Sequence, residues 1–185
     1  MKLKFILAVS VLALIALGAF FMISSSPETT YAEYLQQGID YESSGDLDKA
    51  LASYEQAAKT SPKEYVPYSN IGSIYRNQKD FVKAEESFKK ALAIDPQAVS
   101  VYRKLYDLYR YDFRKHPDFM MPFFADILKT TNNNFDVVKL YAFYLEDIND
   151  PEPALALWRA FLEVEPDNQV YIDKVKLLEA KTKAQ

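Results

Sequence analysis

The sequence predicts an all-α chain: a solenoid of about four helix hairpins closed by a C-terminal capping helix and preceded by one transmembrane helix. Three observations predict it. The stretch beginning at Gly38, GIDYESSGDLDKALASYEQAAKTSP, is written again in variant form 34 residues later from Gly72, and a repeat of that period marks a stacked supersecondary unit. Helix start and stop residues punctuate the chain at intervals suited to short antiparallel helices, and no stretch has the alternation of a strand. An uninterrupted apolar run from Phe5 to Ile23 precedes all of this.

That run carries no charge. Its 19 residues, at about 1.5 Å each, reach roughly 28 Å, close to the hydrocarbon thickness of a bilayer. A cleaved signal has a shorter apolar core and a small-residue cleavage site. Here Ala16-Leu17-Gly18 is followed by more apolar sequence and Ser24-Ser25-Ser26 by Pro27. An uncleaved anchor is the expectation, with a secreted, signal-cleaved protein as the alternative. Lys2 and Lys4 precede the run and no Lys or Arg follows before Lys49, which orients residues 1–4 to the cytoplasm and places the rest outside it, periplasmic or extracellular. Residues 24–30 then form a short linker and helix start.

The repeats align residue by residue. Tyr34, Gly38, Tyr41, Ala50, Tyr54, Ala57 and Pro62 recur at Tyr68, Gly72, Tyr75, Ala84, Phe88, Ala91 and Pro96. The small residues allow two antiparallel helices to approach, and the aromatics fill the space beside them. Units are expected at 31–64, 65–98, 99–134 and 135–168, with 169–185 as the capping helix and tail. Helices are expected near 28–44, 47–60, 62–77, 81–94, 96–113, 118–131, 135–147 and 151–164, followed by Gln169 to Lys181. Ser61-Pro62-Lys63-Glu64 has the form of a capping box, Asp95-Pro96 and Asp150-Pro151 read as helix starts, and Gly45 suits a hairpin turn.

The third unit departs from the pattern. Tyr106 stands where the first two have glycine, and two extra residues fall around Tyr111 to His116. The shift places Met120, Phe124 and Ile127 at core offsets. It leaves Phe119, Met121 and Phe123 as a candidate apolar partner patch, or as side chains packed more deeply by a degenerate repeat. Pro122 requires the helix to start near Asp118. In the fourth unit Ala154, Trp158 and Pro166 keep the offsets, with Tyr141, Ala142 and Leu145 on the first helix, but Phe161 replaces a small residue. Such a change suits the end of an array, with Tyr171, Val175 and Leu178 on one face of the capping helix.

These residues and their spacing resemble the tetratricopeptide repeat (TPR). The resemblance implies a superhelix whose first helices line a concave groove that holds a peptide or partner protein. The family's groove positions fall here on Ser69, Asn70, Ser73, Arg76, Asn77, Arg103, Lys104, Asp107, Arg110 and Tyr111, a basic and polar middle in an acidic domain. Beyond residue 26 the chain has 20 Lys and Arg against 26 Asp and Glu, so an acidic partner segment is expected in the groove and nucleic acid is not. Asn70 and Lys104 match two places of the family's clamp for C-terminal carboxylates, whereas Leu35, Ile39 and Ser100 occupy others, so the full clamp is absent. The layout looks like bacterial envelope TPR proteins engaged in complex assembly or chaperone-linked export.

Chemistry is not indicated. The chain has no cysteine and one histidine, His116, and shows no metal-ligand spacing, phosphate loop or nucleophile motif, so no cofactor, metal or catalytic residue is expected. An enzyme subunit using the divergent third unit is the alternative from another class. The oligomeric state is not legible.

Overall fold

The computed structural model describes residues 30–113 and 117–183, with the side chains of residues 117 and 118 left aside. The predicted transmembrane segment, 5–23, and His116 lie outside the described residues. Among the described residues no helix is long and apolar enough to cross a membrane.

Every described element is helical: α1 (Tyr31–Ser43), α2 (Leu47–Thr60), α3 (Val66–Asn77), α4 (Phe81–Ile94), α5 (Val99–Asp107), a π-helical turn (Leu108–Asp112), α6 (Pro117–Thr130), α7 (Phe135–Asp147), α8 (Pro151–Val164) and α9 (Gln169–Lys183). α1 pairs with α2, α3 with α4 and α7 with α8 as hairpins, α9 packs on α8, and the helices stack in chain order. The first helices, α1, α3, α5, α7 and α9, make one layer; α2, α4, α6 and α8 make the other.

The hairpins close because small residues meet aromatic rings. A Cβ built on Gly38 would lie 2.4 Å from Tyr54 Cε1, and one on Gly72 would lie 2.6 Å from Phe88 Cδ1, distances no side chain tolerates. Tyr54 and Phe88 are fully buried, as are Ala50 and Ala84 one turn earlier on the same helices. In the fourth unit Ala142 takes the glycine position and is buried in one cluster with Ala154 and Trp158. The third unit breaks the rule. The Tyr106 ring meets Phe124 at 5.7 Å between centroids, and Met120 and Ile127, at alanine positions of the first two units, are buried. Large residues on both sides hold α5 and α6 apart where the other pairs touch.

The turns between paired helices also repeat. Gly45, Lys79 and Asn149 occupy the same place in units one, two and four, and all have positive φ, at 82°, 62° and 59°. Asp46 and Asp80 follow as N-caps, accepting from the backbone N–H of Lys49 and Lys83. The adjacent lysines hold both carboxyls below the usual range, chiefly through side-chain hydrogen bonds.

Several expected boundaries are corrected. The first helix starts at Tyr31, not near 28, because Thr30 and Glu33 form a reciprocal capping box. Ser61 is not the start of one: it is the C-cap of α2, with its N–H donated to Ala57. The next helix waits until Val66, with Pro67 in the early position expected of Pro62. Likewise α5 begins at Val99 rather than 96, since the Asp95 side chain accepts from Gln97 N in a local turn. It ends at Asp107 rather than 113, giving way to the π turn in which Phe113 N donates to Leu108 O at 2.8 Å. That wider turn takes up extra length in the third unit. Helix α6 contains Pro122 beyond its first turn, and α9 runs two residues past the expected end.

Candidate binding groove

From α3 onward, one face of the first-helix layer is stitched by side chains that reach from each first helix to the next. Lys104 Nζ of α5 donates to Ser69 of α3, at 2.9 Å to Oγ and 3.4 Å to the carbonyl oxygen. Arg76 of α3 reaches forward to Asp112 Oδ2 at 2.5 Å and lies 3.8 Å from Asp107 Oδ2. Arg110, in the π turn, pairs with Asp147 of α7. Lys174 of α9 pairs with Glu146 of α7 at 2.7 Å. These contacts define the surface on which the predicted groove residues fall.

A second regularity explains which sign of charge stands where. Glu42, Arg76, Arg110 and Glu146 occupy one repeat position. Glu42 accepts from the Tyr54 hydroxyl at 2.8 Å, and Glu146 accepts from Trp158 Nε1 at 2.8 Å. Units two and three have Phe88 and Phe124 in place of those rings, with no polar hydrogen to offer. A carboxylate there would have no donor beneath it, and arginine takes the position instead, reaching to the next unit.

The predicted groove residues therefore divide. Arg76 and Arg110 are committed to carboxylates, and Asp107 sits between Arg76 and Arg103, its carboxyl pushed up by burial while both guanidinium charges oppose the shift. Ser73 donates to the Ser69 carbonyl. Asn70 is half-buried beside the Tyr54 hydroxyl, and Asn77 is exposed. Arg103 is exposed. Neither Arg103 nor Lys104 has a carboxylate within ion-pair distance among the described residues. Burial pulls the Lys104 ammonium below its ordinary value, and the more distant Glu42 only partly offsets this.

The FMMPFF segment also divides. Phe119 and Phe123 set their edges against Tyr109, at 5.0 and 5.4 Å, and Phe123 is half-buried. Met121 stays 41% exposed and accepts from the Tyr141 hydroxyl at 3.8 Å. Phe123 also lines an opening of about 320 Å³ between α4, α5 and α6. None of the predicted groove residues lines that opening.

Sequence reasoning missed Asp112 and Asp147 as partners of the groove arginines, since each lies 36 or 37 residues away and no local pattern links them. It also missed Glu42 and Glu146, for which a signal existed: a glutamate stands twelve residues before a donor-bearing ring in units one and four. No group of His, Cys, Asp and Glu among the described residues could hold a metal ion.

The arrangement makes opposite predictions for neighbouring cations. Arg76→Met leaves two carboxylates without their guanidinium and is expected to cost about 1–3 kcal/mol in urea unfolding. Lys104→Met removes a half-buried charge that has no counter-ion and is expected to change stability by less than about 1 kcal/mol, in either direction.

The comparisons agree with the helical-repeat fold. Tetratricopeptide repeat models match residues 34–64 and 65–98. No curated protein sequence gives a match. Among solved structures, a TPR protein from Parabacteroides merdae is similar at 17% identity and a TM-score of 0.62, over 83% of this chain and 62% of that one. PilF of Pseudomonas aeruginosa is similar at 15% identity and a TM-score of 0.60, over 83% and 69%. YrrB, a TPR protein with an unusual peptide-binding site, is similar at 18% identity and a TM-score of 0.56, over 89% and 84%. At such identities the likeness is one of fold. Residues 34–98 match the tetratricopeptide repeat, and the described residues fold as an all-helical solenoid like those of the solved TPR structures.

Proposed function

We propose that this TPR protein–protein interaction scaffold holds an acidic segment of a partner protein against Arg103 and Lys104, from a domain anchored outside the cytoplasm by residues 5–23. The observation that carries the reading is the division of the groove cations. Arg76 and Arg110 already have carboxylates, whereas Arg103 and Lys104 lie on adjacent positions of α5 with none at ion-pair distance among the described residues. A carboxylate arriving there gains charge-assisted hydrogen bonds worth roughly 1.5–3 kcal/mol each. It also relieves the burial penalty on the Lys104 ammonium. The role is one of binding rather than catalysis.

The anchor rests on the sequence: a charge-free apolar run long enough to span, two lysines before it and no basic residue after it until Lys49. With the repeat domain outside the cytoplasm, the reading is a scaffold for complex assembly or chaperone-linked export in the cell envelope.

Crosslinking in intact cells, followed by purification of the full-length chain, tests the groove. The Arg103→Glu, Lys104→Gln double variant is expected to fold and to lose the partner, and added salt is expected to weaken the wild-type complex. Equal recovery by folded wild type and double variant would exclude this part of the groove as the principal site.

Membrane fractionation tests the anchor. Leu12→Lys, which costs about 2.5–3.5 kcal/mol at the centre of a span, is expected to shift the chain to soluble or degraded fractions. A mature N-terminus beyond Ser26 would instead establish a secreted protein.

A further inference from the structure

The stitched face changes character after α5. Phe143 of α7 occupies the repeat position that Ser73 and Asp107 hold in units two and three, and it is 41% exposed. Its ring is fixed rather than loose. It stands edge-on to Trp158 at 5.1 Å, and the Lys174 ammonium lies 5.0 Å from its centroid. Lys174 is in turn held by Glu146, which also accepts from Trp158. One turn beyond Lys174, on the same side of α9, Leu177 is 51% exposed. The result is a rigid apolar shelf whose charged rim is already neutralised within the chain.

What covers the shelf follows from its neighbour. The exposed area amounts to parts of two side chains, which suits one apolar side chain of an extended segment better than the face of a folded domain. The same face, one helix earlier, presents Arg103 and Lys104 without carboxylates. Adjacent packed helices are about 8–10 Å apart, and an extended chain advances about 3.3 Å per residue, so the two places are about three residues apart along a bound segment.

We propose that the partner segment carries a bipartite signature: an acidic residue for Arg103 and Lys104, and about three residues away a large apolar side chain that seats on Phe143 and Leu177. The signature rests on the groove reading above and makes it specific, since acids alone do not satisfy it. The rim around Phe143 rejects a bare charge, because Lys174, Glu146, Arg110 and Asp147 are already paired with one another.

The test is selection of a random extended peptide library, displayed on phage, against the full-length chain in nanodiscs. The expected result is enrichment of peptides with an acid and a large apolar residue about three positions apart. Leu177→Ser and Phe143→Ser are expected to weaken the best synthetic peptide about tenfold, the equivalent of roughly 1.4 kcal/mol. Leu177→Ser is the safer variant for folding because Phe143 also packs on Trp158. Replacing the peptide's apolar residue with serine is expected to cost the wild type the same factor and to cost Leu177→Ser much less. Enrichment of acids alone, with affinity unchanged by Leu177→Ser, overturns the shelf and leaves the groove reading standing. Enrichment unaffected by Arg103→Glu with Lys104→Gln overturns both. Self-association of the chain that Leu177→Ser abolishes would give the shelf to a second copy and overturn the proposal as well.

Discussion

The contact on which the rest of the structure depends is a small residue set against a buried aromatic ring within each hairpin. Gly38 lies so close to Tyr54, and Gly72 to Phe88, that neither has room for a methyl group. That closeness fixes the spacing of the two helices, and the spacing fixes how the first helices line up with one another. Bridging side chains such as Arg76 and Lys174 find partners on a neighbouring unit because the layer they project from is regular.

The third unit shows what happens when the constraint is relaxed. Tyr106, Met120 and Ile127 fill positions held by glycine and alanine in the first two units, and all three are buried. The helices are wedged apart, and the space is filled by rings: Tyr106 contacts Phe124, Tyr111 and Tyr144. The π turn after α5 belongs to the same departure. It delivers Arg110 to Asp147 and Asp112 to Arg76, so the irregular unit ties its neighbours on both sides while leaving Arg103 and Lys104 on its regular part with no carboxylate at ion-pair distance among the described residues.

Much of this was legible because the sequence states it twice. The 34-residue period predicted the small and aromatic core positions, and Ala50, Tyr54, Ala84, Phe88, Met120, Phe124, Ile127, Ala154 and Trp158 are all buried as expected. Helix starts at proline were less legible, since Pro62 and Pro96 serve equally well in a turn, and only the backbone shows that α3 and α5 begin later. The groove was legible in its positions but not in its electrostatics. Whether an arginine is available depends on acids 36 or 37 residues away, which a repeat alignment does not register. Phe143 passed unnoticed because the alignment of unit four rested on its core offsets, and an exposed aromatic between them gave no period to follow.

The unfolding free energy of Gly38→Ala tests the central claim most directly. Helix propensity alone favours alanine by up to about 1 kcal/mol, whereas a methyl group driven into the Tyr54 ring is expected to cost about 1–3 kcal/mol. The account predicts a net loss of stability in urea titration of the full-length chain, with helical content retained. A variant as stable as the wild type, or more so, would mean that the glycine–aromatic contact does not set the hairpin spacing.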